Sequence, residues 1–475
     1  MTQNKYGSIS AKPVKGFFVE MLTRDLSIED AILDLLDNCV DGILRNQPKE
    51  PSDIETPYIG FWAKITINET RFEIEDNCGG IPWEEHDRAF RLGRPADTNQ
   101  SNTNLSVGVG VYGIGMKRAI FKMGNEALIW TQNGDDSYEV PISQSWMNAE
   151  DSWELEVKNE KGRRGEDGTF IIVESLRPEI QERFAAESFK DDLLDKIASH
   201  YAVILRKGFR VEVNGTQARP KPIVFRFARE SNDKDEVRPY MFKSTFDDVQ
   251  VFLAVGLREP IPGIERTLEE QEGVKFSSDY AGWTIICNDR VVAYCNRDEL
   301  TGWGTAGVPQ YHTQFISISG VVEFTGNPKK LPTTTTKRGL SSSSSLYQQV
   351  LDRMREGLRL FVDFTNKWKT RESEVKAIVS PVPSIPYSSL KSEVESIPFN
   401  ETRTGLRGEQ YKPKLPMPPS NSTDLRISYL RAKKETVILA ERLLPDFEDI
   451  RDKDIPRRVG EASFDFAYEK LIGSK

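Results

Sequence analysis

The stretch that most limits what this chain can become is Ser27 to Arg45, SIEDAILDLLDNCVDGILR. On a helical wheel Ile28, Ala31, Ile32, Leu35, Leu36, Cys39, Val40 and Ile43 share one broad arc. Asp30, Asp34, Asp37, Asn38, Asp41 and Arg45 share the other. Apolar residues recurring at the helical period predict an amphipathic helix packed on a core. Ser27 is a natural N-cap, and Asp30 three residues later makes an approximate capping box. A solvated face usually mixes both signs of charge, but this one lines up Asp34, Asn38 and Asp41. Carboxylates crowded on one face repel unless a cation sits among them. A divalent ion would answer that need.

The chain has 475 residues, enough for two or three domains, and 38% of them are apolar, enough to build cores for them. A net charge of -9 argues against nucleic-acid binding by bulk charge alone. Four scattered cysteines with no CxxC pair argue against a zinc site or a disulfide framework. No N-terminal apolar run resembles a signal peptide, and no stretch of about 18 apolar residues could span a bilayer. The expectation is a soluble cytoplasmic protein with no membrane partner.

After the acidic helix, FWAKITIN (61–68) and RFEIED (71–76) alternate as a pair of strands. The second strand ends at Asp76 in DNCGGIP, where paired glycines require a sharp turn or a close backbone approach. A polar stretch, 94–107, runs into GVGVYGIGMKRAIFKMG, in which Gly108, Gly110, Gly113 and Gly115 precede a helical run. Glycines feeding a helix N-terminus leave amides free to meet an anion. The spacing is neither that of a P-loop nor that of a dinucleotide fingerprint. Strands recur up to GTFIIVESL (168–176), and 179–205 reads as helical. The stretch 209–336 reads mostly as strand, with Asn288-Asp289 as a hairpin tip. A long helix is expected from Leu346 to Thr370. Residues 379–422, rich in Pro and Ser, read as a linker or extended arm, followed by a charged helix over 424–442.

Three motifs stand in order: the acidic helix, DxxGG after a strand, and a Gly-rich turn entering a helix. A fourth, Gly168-Thr169, opens a later strand. The set resembles the GHKL ATPases, which include gyrase-type topoisomerases, the large heat-shock chaperone, histidine kinases and MutL. The resemblance spans roughly residues 15–340, with the motifs within the first 176. It implies an α+β chain made of a Bergerat-type ATP-binding α/β sandwich (1–178) and an S5-like transducer domain (179–340). A long helix (341–378) and a Pro/Ser-rich, partly helical C-terminal region (379–475) would follow.

The resemblance also assigns roles. Asp34 matches the carboxylate that activates the attacking water, and Asn38 matches the ligand of the Mg2+ that bridges the phosphates. An amide oxygen suits Mg2+ because it adds no further charge. Asp41 would support the site from behind. Asp76 matches the acceptor of the adenine amine. A carboxylate only accepts, so it favours adenine over guanine. Gly80, with Ile81 beside it, would lie beneath the base, and Thr169 would reach the base through water. Gly110, Gly113 and Gly115 match the phosphate-contacting hinge of a lid, and Lys117 would meet a phosphate. Lys337, in the loop TTTTKRG, would reach the γ-phosphate from the second domain, with Lys329 and Lys330 as alternatives.

The chain departs from the family pattern at two positions. The water-activating position is usually Glu, and Asp34 retracts the carboxylate by about 1 Å. Asp37 competes for that role, but one residue off the stripe it fits structural bonds better. Cys78 replaces the first glycine of the adenine turn and reads as a packing variant.

The remaining length lacks a breakage-and-rejoining domain, a large client domain and a phospho-acceptor His ahead of the helix. The motif wording is closest to prokaryotic MORC- or MutL-like proteins. The expected function is a Mg-dependent, slow ATPase that clamps by ATP-gated homodimerisation in a DNA-related or defence process. DNA or a DNA-acting protein would be its partner. The alternative is an ATP-regulated interaction module with negligible turnover.

Overall fold

The computed structural model describes residues 14–46, 56–91, 114–149, 152–159, 165–229, 236–263, 277–334, 339–419, 431–447 and 455–473. The chain divides into two compact units, Met1–Pro418 and Pro419–Lys475.

In the first unit, α1 (Lys15–Thr23) and α2 (Ile28–Asn46) precede a mixed sheet. Its strands are β1 (Trp62–Ile67), β2 (Phe72–Asp76), β3 (Gly124–Asn133), β4 (Asp136–Ile142), β5 (Lys158–Asn159), β6 (Gly168–Leu176), β7 (Arg210–Val213) and β8 (Thr216–Gln217). Their order is β5-β4-β3-β6-β2-β1-β7-β8. The expected hairpin is present, with Ala63 opposite Asp76 and Ile67 opposite Phe72. Between β2 and β3 come α3 (His86–Phe90) and α4 (Gly115–Met123), with α5 (Gln144–Asn148) after β4. The helices α6 (Pro178–Ala185), α7 (Glu187–His200) and α8 (Ala202–Arg206) follow β6. The apolar arc of α2, from Ile28 to Ile43, joins α4, α7 and the inner residues of β1, β2, β3 and β6 in one core. Ser27 caps α2 as expected: its Oγ accepts from the Asp30 amide at 3.1 Å and donates to the Asp30 carboxylate at 2.6 Å.

The first sheet does not end near residue 178. β7 pairs in parallel with β1, Ala63 opposite Val211, so the chain returns to this sheet after three helices. The strand pattern from 209 onward was legible, but which sheet would recruit it was not. Register between distant strands is set by packing rather than by local sequence.

The second sheet follows β9 (Val224–Arg226). It contains β10 (Tyr240–Phe246), β11 (Val249–Leu257), β12 (Gly282–Cys287), β13 (Arg290–Asn296) and β14 (Ile318–Thr325). Asn288 and Asp289 both take positive φ, +46° and +67°, and form the two-residue tip that joins β12 to β13. A long helix, α9 (Ser345–Trp368), buries Val350, Met354, Leu358 and Phe361 against this sheet. At Gly357 an added Cβ would lie 2.5 Å from Val255 Cγ1, so only glycine lets the helix approach this closely.

Residues 379–418 are not a free linker. After α10 (Glu372–Val379), β15 (Ser384–Pro386) pairs with β9, and α11 (Tyr387–Glu393) follows. β16 (Asn400–Glu401) and β17 (Glu409–Tyr411) then extend the second sheet beyond β10. The Pro and Ser content hid short edge strands, where proline is tolerated. Their few apolar anchors, Ile385, Tyr387, Leu390 and Ile397, are buried in one cluster. In the second unit, α12 (Lys433–Leu443) and α13 (Ile455–Ile472) form their own small core through Ala440, Leu444, Ile455 and Val459.

Candidate functional site

The polar arc of α2 is not a wet face. Asp34 and Asp37 are buried, Asp41 is half-buried, and only Asn38 of the central four is exposed. Each buried acid has its own arginine. Arg118 Nη2 of α4 lies 2.5 Å from Asp34 Oδ2. Arg290 Nε, at the start of β13, lies 2.8 Å from Asp37 Oδ1. The Tyr201 hydroxyl donates to the same Asp37 oxygen at 2.5 Å. The cations that the acidic arc requires are thus supplied largely by the chain itself. Asp37 does the structural work expected of it.

Arg118 was not foreseen, although its signal was present one residue beyond Lys117 in GMKRAIF. On α4 the two basic residues point differently. Lys117 is buried, and its ammonium donates to the carbonyls of Ala89 and Arg91 at 2.6 and 2.9 Å. Lys117 therefore ties α4 to the end of α3. Gly115 opens α4 with its Cα close to Asp34: an added Cβ would sit 3.5 Å from Asp34 Cβ. The N-terminus of α4 thus lies against the acidic helix. Gly110, Gly113 and Lys337 fall outside the described residues.

Beside α2, the end of β2 and its turn hold a half-buried carboxylate, Asp76. Asp76 Oδ1 accepts from the Cys78 amide at 2.7 Å and the Thr169 amide at 3.4 Å. The Cys39 thiol, on α2, donates to Asp76 Oδ2 at 3.5 Å. Burial pushes the Asp76 pKa up to about 6, against the pull of these donors.

The turn itself excludes side chains. Gly79 and Gly80 have φ of +93° and +62°, and a Cβ on Gly80 would come within 1.9 Å of the Gln132 carbonyl oxygen. The two glycine carbonyls are held from both sides. Gly79 O accepts from Asn46 Nδ2 at 3.1 Å and Asn133 Nδ2 at 2.6 Å, and Gly80 O accepts from Arg45 Nη1 at 2.9 Å. Ile81 is fixed at both ends, its amide donating to Thr131 Oγ1 at 2.7 Å and its carbonyl accepting from Tyr138 at 3.1 Å. Thr131 Oγ1 is also 3.5 Å from Thr169 Oγ1, which brings β3 and β6 to the same turn. Thr131, Asn133, Arg45 and Cys39 are the supporting residues that sequence reasoning missed. None carries a local signature, because their roles arise from strand pairing.

Among the described residues the Asn38 amide has no hydrogen-bond partner, and it sits one turn beyond Asp34 on α2. An exposed amide oxygen of this kind fits a hard cation that keeps most of its water, as Mg2+ does. Asp41, a turn further, lies near Tyr58. Burial first, then Asp289 and Asp41, push the Tyr58 phenol pKa well up.

Residues 26–164 match the family model described as histidine kinase-, DNA gyrase B- and HSP90-like ATPase. The match takes in α2, the Asp76 turn and all of α4, and ends before Thr169. None of the curated proteins matches the chain. No described helix is long and apolar enough to cross a membrane.

Proposed function

We propose, from the premise that this chain carries the ATP-binding domain of the GHKL ATPase family, that it is a Mg-dependent, slow ATPase that uses ATP as a conformational switch. The observation that carries the reading is Asp76. It is a half-buried carboxylate at a strand end, aligned by two main-chain amides, above a turn where only glycine fits. In the proposed complex Asp76 accepts the adenine amine, Gly80 and Ile81 underlie the base, and Thr169 reaches it through water. Asn38 offers its oxygen to Mg2+, which when bound would draw charge from the phosphates. Gly110, Gly113, Gly115 and the α4 amides would face the phosphates. Asp34 would orient the attacking water, with Asp41 supporting the stripe and Lys337 reporting the γ-phosphate to the second sheet.

The proposal extends to ATP-gated homodimerisation, in the manner of MORC- or MutL-like clamps, with DNA or a DNA-acting protein as partner. Basic residues cluster over 206–210, 219–221 and 329–338, and of these Lys221 is paired with Asp195 and Lys330 with Asp247 and Asp248. The test is a magnesium-dependent ATPase assay with sizing, in the presence of ADP, a non-hydrolysable ATP analogue, GTP and DNA. Adenine-selective binding with analogue-dependent dimers is expected. Equal affinity for GTP would overturn the base assignment, and a monomer with saturating analogue would overturn the switch.

A second reading is an ATP-regulated interaction module with negligible turnover. One observation favours it: the carboxylate that would act on water already holds Arg118 at 2.5 Å. A base must be within reach of its water and able to take a proton, and a tight guanidinium contact opposes the second condition.

A further inference from the structure

Two of the four cysteines meet at the Asp76 carboxylate. Cys39 comes from the middle of α2 and Cys78 from the turn after β2, and both are buried. One donor atom from each, with one oxygen of Asp76, lie within 4.8 Å of one another. The Cys39 Sγ to Asp76 Oδ2 distance is 3.5 Å.

A tetrahedral zinc, with bonds of about 2.3 Å to sulfur and about 2.0–2.2 Å to oxygen, needs a sulfur–oxygen edge of about 3.5 Å and a sulfur–sulfur edge of about 3.8 Å. The observed edge already has the first value, and the second requires only a small closure of the cluster. Charge also permits the exchange. With both thiols protonated the cluster carries the single charge of Asp76. A divalent ion that displaces both thiol protons leaves a dithiolate-carboxylate complex of the same net charge. The metal takes the place of the proton that Cys39 now shares with Asp76, and the two protons pass to solvent. Thiolate donors select soft or borderline ions such as Zn2+, Cd2+ and Co2+ over Mg2+.

We propose that Cys39, Asp76 and Cys78 form a dithiolate-carboxylate site for a thiophilic divalent cation, whose occupation competes with nucleotide. The competition follows from shared use of one group: a carboxylate bound to metal cannot accept the adenine amine. This clause rests on the proposed adenine contact, whereas the metal site does not. Both thiols must lose their protons to bind the metal, so the exchange tightens as pH rises. The cysteine at position 78, a departure from the glycine of the resembled family, thereby acquires a second use besides packing.

The test uses the full-length, reduced protein and Co2+ as probe. Site formation is read from the thiolate-to-cobalt charge-transfer absorption and confirmed by displacement with Zn2+. Cys39→Ser and Cys78→Ser should each weaken cobalt binding at least tenfold, while Cys287→Ser and Cys295→Ser leave it unchanged. Circular dichroism of each variant verifies folding, and Cys78→Gly, which restores the small residue, gives a second way to remove the ligand. Saturating ADP without magnesium should bleach the band. Absence of the band, or its persistence in the Cys39→Ser and Cys78→Gly variants, overturns the site. A band that ADP leaves intact, while ADP binds at full affinity, overturns the competition. If metal-free protein binds no ADP at all, the nucleotide reading fails, and the band alone decides the metal site.

Discussion

Asp37 and Arg290 are 253 positions apart in sequence and 2.8 Å apart in space, both almost fully buried. Asp37 sits on α2, between Asp34 and Asn38, the residues proposed for water activation and metal. Arg290 follows the hairpin tip of the second sheet, and Asp289 at that tip holds Lys207 at 2.8 Å and the Tyr58 hydroxyl at 2.9 Å. The Asp37–Arg290 ion pair thus ties α2 directly to the second sheet.

Arg290→Ala should destabilise the fold by roughly 3–5 kcal/mol, because it leaves the Asp37 charge buried without its counter-ion. Tyr201→Phe, which removes only one donor, should cost about 1–2 kcal/mol. Denaturant unfolding of the single variants and the Asp37→Asn/Arg290→Met pair measures this. The paired change should recover much of the loss, and full additivity would show that the pair is not coupled.

Asp34→Ala should lower ATP turnover by roughly a hundredfold or more while leaving ADP affinity within about a factor of two. Asp34→Glu should raise turnover if reach limits the rate. Steady-state hydrolysis and equilibrium binding separate the effects. Unchanged rates in both variants would select the interaction-module reading.

Nucleotide affinity should depend on pH through Asp76. The adenine amine needs the ionised carboxylate, so ADP affinity should fall as pH drops through about 6, approaching tenfold per unit well below it. The ligand-free fold behaves oppositely. Its Asp76 pKa is raised, so the stabilising contribution of the protonated group is full below 3.8 and is lost as pH rises through about 6. Asp76→Asn should flatten both profiles and weaken ADP by roughly 10–100-fold. Calorimetric titrations and melting curves across that range provide the check.

Gly80→Ala should unfold the turn, costing at least about 3 kcal/mol, since both its φ and the Gln132 carbonyl forbid a side chain. Gly134→Ala is the control. Its φ of +58° is similar but nothing lies within 4 Å, so about 1 kcal/mol is expected. Thermal melts of the two variants should separate clearly.

The order of motifs was legible because each is local. A helix period, a strand followed by two glycines, and a capped helix start are all written in consecutive residues. The capping of Ser27, the Asp76 turn and the Asn288-Asp289 tip all appear where the sequence placed them. What the sequence hid are partnerships across the chain. The acids of α2 implied a cation, but nothing local could say that Arg118 and Arg290 would supply it. The return of β7 to the first sheet depends on a free edge at β1, and an edge is a property of the assembled sheet. Lys117 and Arg118 are neighbours in sequence, and only the docking of α4 decides which of them faces Asp34.

The Asp37–Arg290 pair bears finally on how the chain can be divided. Cutting after β8, where the first sheet ends, would separate an acid in the core of one fragment from the base in the other. The sequence match ends well before that point, yet the matched segment has a charge whose partner lies beyond it. A fragment trimmed to the recognisable homology would therefore be a poor object for biochemistry, and the smallest piece that keeps its electrical balance includes the β12–β13 hairpin.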